Sequence, residues 1–356
     1  MIIENRYFSE AETLLQKIVR IASYSGEENM VSQFLLNFLS EKGADCTKIK
    51  NNIIAYSKDY SASKPTLMLN SHLDTVKASN GYSFDPFNPP LSEDKIWGLG
   101  SNDAGGSVVS LIETFLFFSH QTQTLPFNLL LVLSAEEENS GKNGMDLVLK
   151  KIPEINCAII GEPTGMKVAV AERGLLVVDA TAKGLSGHAA RGEGVNAIYI
   201  AIEDINWLRG FRFPLTSQLM GEVKTSVTQI AAGVQHNVVP DICKFVIDIR
   251  PTDQYTNSQV MEILKVGMRS ELKARSLTNR CSSIPESHPL VRTADMLGRE
   301  KFVSLTTSDW MRLNIPAIKI GPGDSARSHS ADEYLLKSEI KEGVEGYIDF
   351  VNKLEL

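Results

Sequence analysis

The chain has 356 residues, 43% of them hydrophobic and 22% charged, which is enough for a sizeable core and, at roughly 150 residues per domain, for two domains. This composition excludes a disordered or fibrous chain. With 36 Lys+Arg against 43 Asp+Glu the net charge is -7, which argues against a general affinity for nucleic acid, and no apolar run reaches the length of a membrane-spanning helix.

In chain order, Met1 to Arg6 lack a basic region followed by an apolar signal core. Ser9 and Glu12 form a capping-box pattern ahead of Leu14, Leu15 and Ile18, which predicts a helix from near Ser9; Ser25 and Glu28 repeat the pattern ahead of an apolar stripe from Val31 to Leu39. Short apolar runs at Leu67–Leu69, Leu129–Leu133, Ala158–Ile160 and Ala317–Ile320 predict buried strands, with helices over Ser107–Phe118 and Gly144–Lys151. Alternating strands and helices predict an α/β sheet, where ligands collect beyond the carboxyl ends of the strands.

The middle of the chain has a different texture. Val177–Ala182 and Phe245–Arg250 alternate with period two, and helical stretches over Ala197–Leu208 and Ser258–Ala274 give a β-α-β-β-α-β pattern. The expected division is a discontinuous catalytic domain, 1–174 and 280–356, with a smaller ferredoxin-like α+β domain, 175–279, inserted in it. Cys46, Cys157, Cys243 and Cys281 are scattered and form no CxxC pair, so free thiols and a reducing cytoplasm are expected.

Chemistry-bearing residues cluster where predicted strands give way to loops. His72 and Asp74 suit a metal ligand and the carboxylate that orients it. Asp103 follows the glycine-rich Gly98-Leu99-Gly100 turn, and a carboxylate with two oxygens can bridge ions about 3.5 to 4 Å apart. Taken alone, an ordinary Asx turn explains Asp103 as well. Glu136, Glu137 and Glu138 follow the strand ending at Leu133; three adjacent acids there either form a solvated loop or are relieved by a cation or proton. With Glu162 before Pro163, and His329, the set offers one imidazole, one terminal carboxylate and one shared carboxylate to each of two metals, which suits zinc with an open position.

Along essentially its whole length the chain resembles the co-catalytic di-zinc metallopeptidases and aminoacylases, a family that includes acetylornithine deacetylase, succinyl-diaminopimelate desuccinylase and glutamate carboxypeptidase. The resemblance is carried by His72-Leu73-Asp74-Thr75, Gly100 to Asp103, Glu136-Glu137-Glu138, Gly161-Glu162-Pro163 and Ser328-His329, in that order. It implies a mixed-sheet zinc-peptidase domain with an inserted lid and dimerisation domain. It further implies two zinc ions, replaceable by cobalt or manganese: one on His72, Asp103 and Glu162, the other on Asp103, Glu138 and His329. Asp74 would orient His72, and Glu137 would be the acid/base if Glu136 aligns with the family's usual Asp.

The resemblance also implies that His188 reaches a partner subunit's active site to stabilise an oxyanion, and hence a homodimer through the lid. Asn237 and Arg250 match lid positions that contact substrate, Arg250 through a carboxylate; Arg173 and Thr307 are further candidates. Two departures stand out: Gly98-Leu99-Gly100 replaces the common Gly-Arg-Gly, and the lysine often found two residues after the bridging acid is absent. The expected activity is amide hydrolysis in a small N-acyl amino acid, foremost acetylornithine or acetylcitrulline in arginine biosynthesis. Desuccinylation, dipeptidase or aminopeptidase action, and a silent dimeric binding protein are the alternatives.

Overall fold

The computed structural model describes residues 3–121 and 124–356, so the first two residues of the N-terminal segment lie outside it. The chain divides into two compact units: Met1–Val170, Ser283–Phe302 and Ser308–Leu356 form one, and Ala171–Ser282 with Val303–Thr307 form the other.

The apolar runs of the first unit become strands that are buried along their whole length, Thr66–His72, Asn128–Ser134, Cys157–Ile160 and Ala317–Lys319. Burial on both faces is what a central parallel sheet requires of its strands. Thr66–His72 lies between Asn128–Ser134 and Cys157–Ile160, parallel to both, and Ala317–Lys319 adds a further parallel strand beside Cys157–Ile160. Antiparallel strands Asp45–Ile49 and Asn52–Tyr56 extend one side, making the sheet mixed. In register, His72 faces Ser134, Asn70 faces Ile160 and Lys319 faces Ile160, so the carboxyl ends of four parallel strands fall nearly level.

The helix Gly106–Ser119 packs against Asn5–Ile18 and Lys337–Lys353, and nearly all of its residues are buried. Glu113 is discordant there: it is fully buried, and neither carboxyl oxygen has a hydrogen-bond partner among the described residues. Burial, aided by Glu10 and opposed by Lys42 and Arg6, pushes its pKa up from 4.5 to about 8. Below the ordinary value Glu113 is protonated in both folded and unfolded chains. As pH rises towards the folded value only the unfolded chain releases the proton, so this group's contribution to stability is progressively lost. Glu113→Gln removes that dependence. Its melting temperature should gain on that of the wild type between about pH 5 and pH 8, and a constant difference across that range would count against the assignment.

Both predicted capping boxes are corrected. The first helix begins at Asn5 rather than near Ser9, whose hydroxyl donates to the Arg6 carbonyl within the helix. The second runs from Asn29 to Glu41, while Ser25 and Glu28 are drawn into long-range hydrogen bonds described below. The helix expected over Gly144–Lys151 is reduced to Met145–Val148.

The second unit has the β-α-β-β-α-β order: Leu176–Lys183, Ala197–Gly210, Lys224–Ala232, Ile242–Arg250, Asn257–Gly267 and Glu271–Ala274. Its four strands form an antiparallel sheet in which Ile242–Arg250 and Leu176–Lys183 are central. The helix expected over Ser258–Ala274 stops at Gly267. Gly267 is pressed so closely to the Trp207 ring that no side chain fits, and the Asp204 carboxylate then accepts from the amides of Arg269 and Ser270, both at 2.9 Å. These contacts turn the chain out of the helix and into the strand Glu271–Ala274.

Candidate active site

The level strand ends of the first unit gather seven of the sequence-predicted residues. His72 closes its strand with its ring buried; Nε2 lies 3.2 Å from Asp103 Oδ1 and 3.9 Å from Glu162 Oε1. His329, on a left-handed backbone at φ 58°, places Nε2 at 3.0 Å from Glu138 Oε1 and 3.7 Å from Asp103 Oδ2. Asp103 therefore turns one oxygen to each imidazole, the arrangement a bridging carboxylate needs. Among the described residues His72, Asp103 and Glu138 also offer ligand atoms within 4.8 Å of one another.

The donor spacing tests the fit of a metal. Tetrahedral ligands about 2.0 to 2.2 Å from zinc lie roughly 3.3 to 3.6 Å apart, and the 3.0 to 3.9 Å separations around both imidazoles span that spacing. The electrostatics agree, because these half-buried carboxylates have more negative charge than two imidazoles can balance. Burial, with Asp103 beside it, pushes Glu162 up to about 8, and His329 is raised to about 9 by its bond to Glu138. Divalent cations would relieve both distortions.

The three adjacent glutamates go different ways. Glu136, at φ 55°, folds back so that its carboxylate accepts from Asn143 Nδ2 at 2.7 Å and from the Asn143 amide at 3.1 Å. Glu138 meets His329. Glu137 lies between them in sequence, and burial, with Glu162, Glu138 and Asp309 nearby, raises its pKa well above the ordinary value despite the opposing effect of His72. The loop is held by carboxylates that accept its amides: Glu28 takes Glu136 N at 3.1 Å, and Asp74 takes Glu137 N and Glu138 N, each at 3.0 Å.

Asp74 also accepts from Ser25 Oγ at 2.6 Å. Its backbone carbonyl lies 2.9 Å from His72 Nδ1, closer than its carboxylate at 3.6 Å, so Asp74 holds the ring and the acidic loop together. Sequence reasoning missed Ser25, Glu28, Asp309 and Glu333. Asp309 is buried and accepts from Ser134 Oγ at 2.5 Å; Glu333 accepts from the turn bearing Asp103. The signal for Glu333 was its place four residues after His329.

The other candidates belong to the second unit. His188 and Asn237 come together there: Gly187–His188 pairs with Val238–Val239, and the Ala189 amide donates to the Asn237 carbonyl at 3.0 Å. Arg250 is held by Asp248 through two bonds of 2.7 and 3.0 Å. Arg173 is buried and donates to the Met220 carbonyl, and Thr307 is half-buried. All four cysteines are free thiols.

A mixed α/β sheet that gathers two imidazoles and several carboxylates at its strand ends is the architecture of a hydrolase with a candidate metal centre. Residues 68–353 match peptidase family M20/M25/M40, and the chain belongs to that family. It is 29% identical to a peptidase M20 domain-containing protein of Schizosaccharomyces pombe, covering 94% of this chain and 82% of that one. It is 27% identical to an acetylornithine deacetylase of Erwinia tasmaniensis (83% and 81% covered) and 26% identical to a succinyl-diaminopimelate desuccinylase of Corynebacterium glutamicum (90% of each). In fold it is similar to a Staphylococcus aureus tripeptidase, with a TM-score of 0.78, 18% identity and 97% and 98% of the two chains covered. It is likewise similar to a dinuclear metal-binding M20 peptidase of Bacillus subtilis, with a TM-score of 0.71, 13% identity and 98% of each chain covered. Among the described residues no helix is long and apolar enough to cross a membrane.

Proposed function

We propose that this hydrolase cleaves the amide bond of a small N-acyl amino acid, foremost acetylornithine or acetylcitrulline in arginine biosynthesis, in the cytoplasm. The observation that carries the hydrolytic reading is the division of the Asp103 oxygens between His72 and His329, with the half-buried Glu137 interacting electrostatically with His72. The acetylornithine deacetylase relative supports the substrate branch. The free cysteines suit a reducing compartment.

His72, Asp103 and Glu162 would hold one zinc ion and Asp103, Glu138 and His329 the other; cobalt or manganese suits the same nitrogen and oxygen donors. When bound, such ions polarise an acyl carbonyl and lower the pKa of water. Glu137 takes the proton from the attacking water and returns it to the leaving amine. Asp74 keeps His72 and the Glu137 backbone in place. His188 of the partner subunit stabilises the oxyanion, and Asn237, Arg250, Arg173 and Thr307 contact substrate, Arg250 exchanging Asp248 for the substrate carboxylate.

A homodimer through the second unit is supported by the exposure of Tyr199, Ile202 and Ile230, the last on the edge strand Lys224–Ala232. The substrate test is amine release from acetylornithine, acetylcitrulline, their succinylated analogues and unblocked dipeptides, with zinc and with a chelator. Zinc-dependent release confined to the acetylated substrates is the expected result. Release only from succinylated substrates or free dipeptides would move the protein to those branches, and release from none would favour a binding role.

A further inference from the structure

The turn that presents Asp103 is held from within by a residue far away in the chain. Gly100 has a left-handed φ of 77°, and a side chain there would strike Thr75 Cγ2 at 2.5 Å. Left-handed and right-handed residues in succession turn their amides inward and form a concavity that suits an anion. In this protein the anion is its own Glu333. One carboxylate oxygen accepts from the amides of Asn102 and Asp103 at 2.8 and 2.9 Å, and the other from the amide of Gly100 at 3.0 Å. Glu333 is only 1% exposed, so water cannot readily replace these bonds.

Glu333 also lies four residues after His329, in a segment tied down on both sides. Arg327 pairs with Glu339 through bonds of 2.7 and 2.8 Å, and Tyr334–Leu336 pairs with Lys95–Trp97. The Glu333 carbonyl accepts from Gly98 N at 3.0 Å. The same short segment therefore presents His329 and grips the turn that presents Asp103.

We propose that Glu333 is a positioning residue that locks the Asp103 turn to the His329 segment, so that the two candidate metal positions keep or lose their shape together. The inference rests on the metallohydrolase reading above. It assigns Glu333 no contact with substrate. Neighbouring Asp332 serves as the control: its carboxylate holds Ser83, through N at 2.8 Å and Oγ at 2.9 Å, rather than the amides of the Asp103 turn that Glu333 holds.

Glu333→Gln preserves size but replaces one acceptor oxygen with an N–H donor that opposes the turn's amides, whereas Glu333→Ala leaves three amides without an acceptor and risks the fold. The test uses Glu333→Gln and Asp332→Asn in the full chain, reading zinc affinity by chelator competition, kcat and KM, and crystal structures of the metal-free proteins. Glu333→Gln is expected to lower the affinity of both zinc positions about 10- to 100-fold, the usual effect of losing a residue that supports ligands. kcat should fall with KM little changed, and the Asp103 turn should shift even without metal. Asp332→Asn should keep wild-type zinc affinity.

An unmoved turn with unchanged zinc affinity in Glu333→Gln would overturn the proposal, as would weakening of one position alone or an equal loss in Asp332→Asn. A wild-type protein that binds no zinc would instead count against the metallohydrolase reading. The metal-free crystal structures would then still decide the role of Glu333.

Discussion

Glu137→Gln is expected to lower kcat about 100- to 10,000-fold, the usual contribution of a positioned general acid or base, while zinc content and fold stay those of the wild type. The substitution preserves volume and removes the ability to take and return a proton. It should not loosen the site, because Glu137 is placed by its backbone: its amide is held by Asp74 at 3.0 Å, and the next amide by the other oxygen of the same carboxylate. Glu138 and His329 keep their 3.0 Å contact independently of the Glu137 side chain. KM should therefore change little, the pattern of an interaction used in the transition state rather than in substrate binding. The measurements are steady-state kinetics on the best substrate of the amine-release panel and metal analysis of the same preparation. Normal turnover would remove Glu137 from the mechanism. Lost turnover accompanied by lost zinc would make Glu137 a support of the metal positions rather than the acid/base.

The same substitution at Glu136 is a useful contrast. Its carboxylate is bound to Asn143 and points back along its own loop, so Glu136→Gln should leave kcat within a few-fold of the wild type. The order of the three glutamates is thus open to kinetic test, where sequence alone offers only an alignment.

What the sequence disclosed was whatever has a short-range signature. Four apolar runs announced the central strands, and His72, Glu138 and Glu162 each stand within a few residues of the end of one of them, whereas Asp103 was singled out by its glycine-rich turn and the five-residue ligand set by the family resemblance. The alternating runs and helical stretches of the middle segment likewise announced its β-α-β-β-α-β order. The failures share a cause. Ser25 and Glu28 looked like a local helix cap, yet their side chains bond to Asp74 and to the Glu136 amide, which are distant in sequence. Ser258–Ala274 looked like one helix because neither the Trp207 ring against Gly267 nor the Asp204 carboxylate on the following amides leaves any local pattern. Glu333 bonds to Asp103 across 230 residues. Tertiary hydrogen bonds of this kind override local capping preferences without altering the hydrophobic period from which elements are read.

Asp103 offers the sharpest test of a shared metal ligand, because its two oxygens are divided: Oδ1 faces His72 at 3.2 Å and Oδ2 faces His329 at 3.7 Å. Asp103→Ala removes both oxygens and should abolish stable binding of both ions, with a loss of activity beyond the 10- to 100-fold range typical of residues that merely support ligands. Asp103→Asn retains one oxygen in nearly the same place, since the turn is gripped through its backbone by Glu333 rather than through the Asp103 side chain. It should keep one zinc ion through dialysis against a weak chelator and lose the other. Metal content per chain then separates the possibilities: two in the wild type, one in Asp103→Asn and none in Asp103→Ala is the signature of a bridge. If both variants lose the same single ion, Asp103 serves only one position, and the 3.7 Å approach to His329 is proximity without shared coordination. If both keep two, neither oxygen is a ligand, and the negative charge of Asp103 would have to act on His72 and His329 directly, through the short contacts it already makes with their rings.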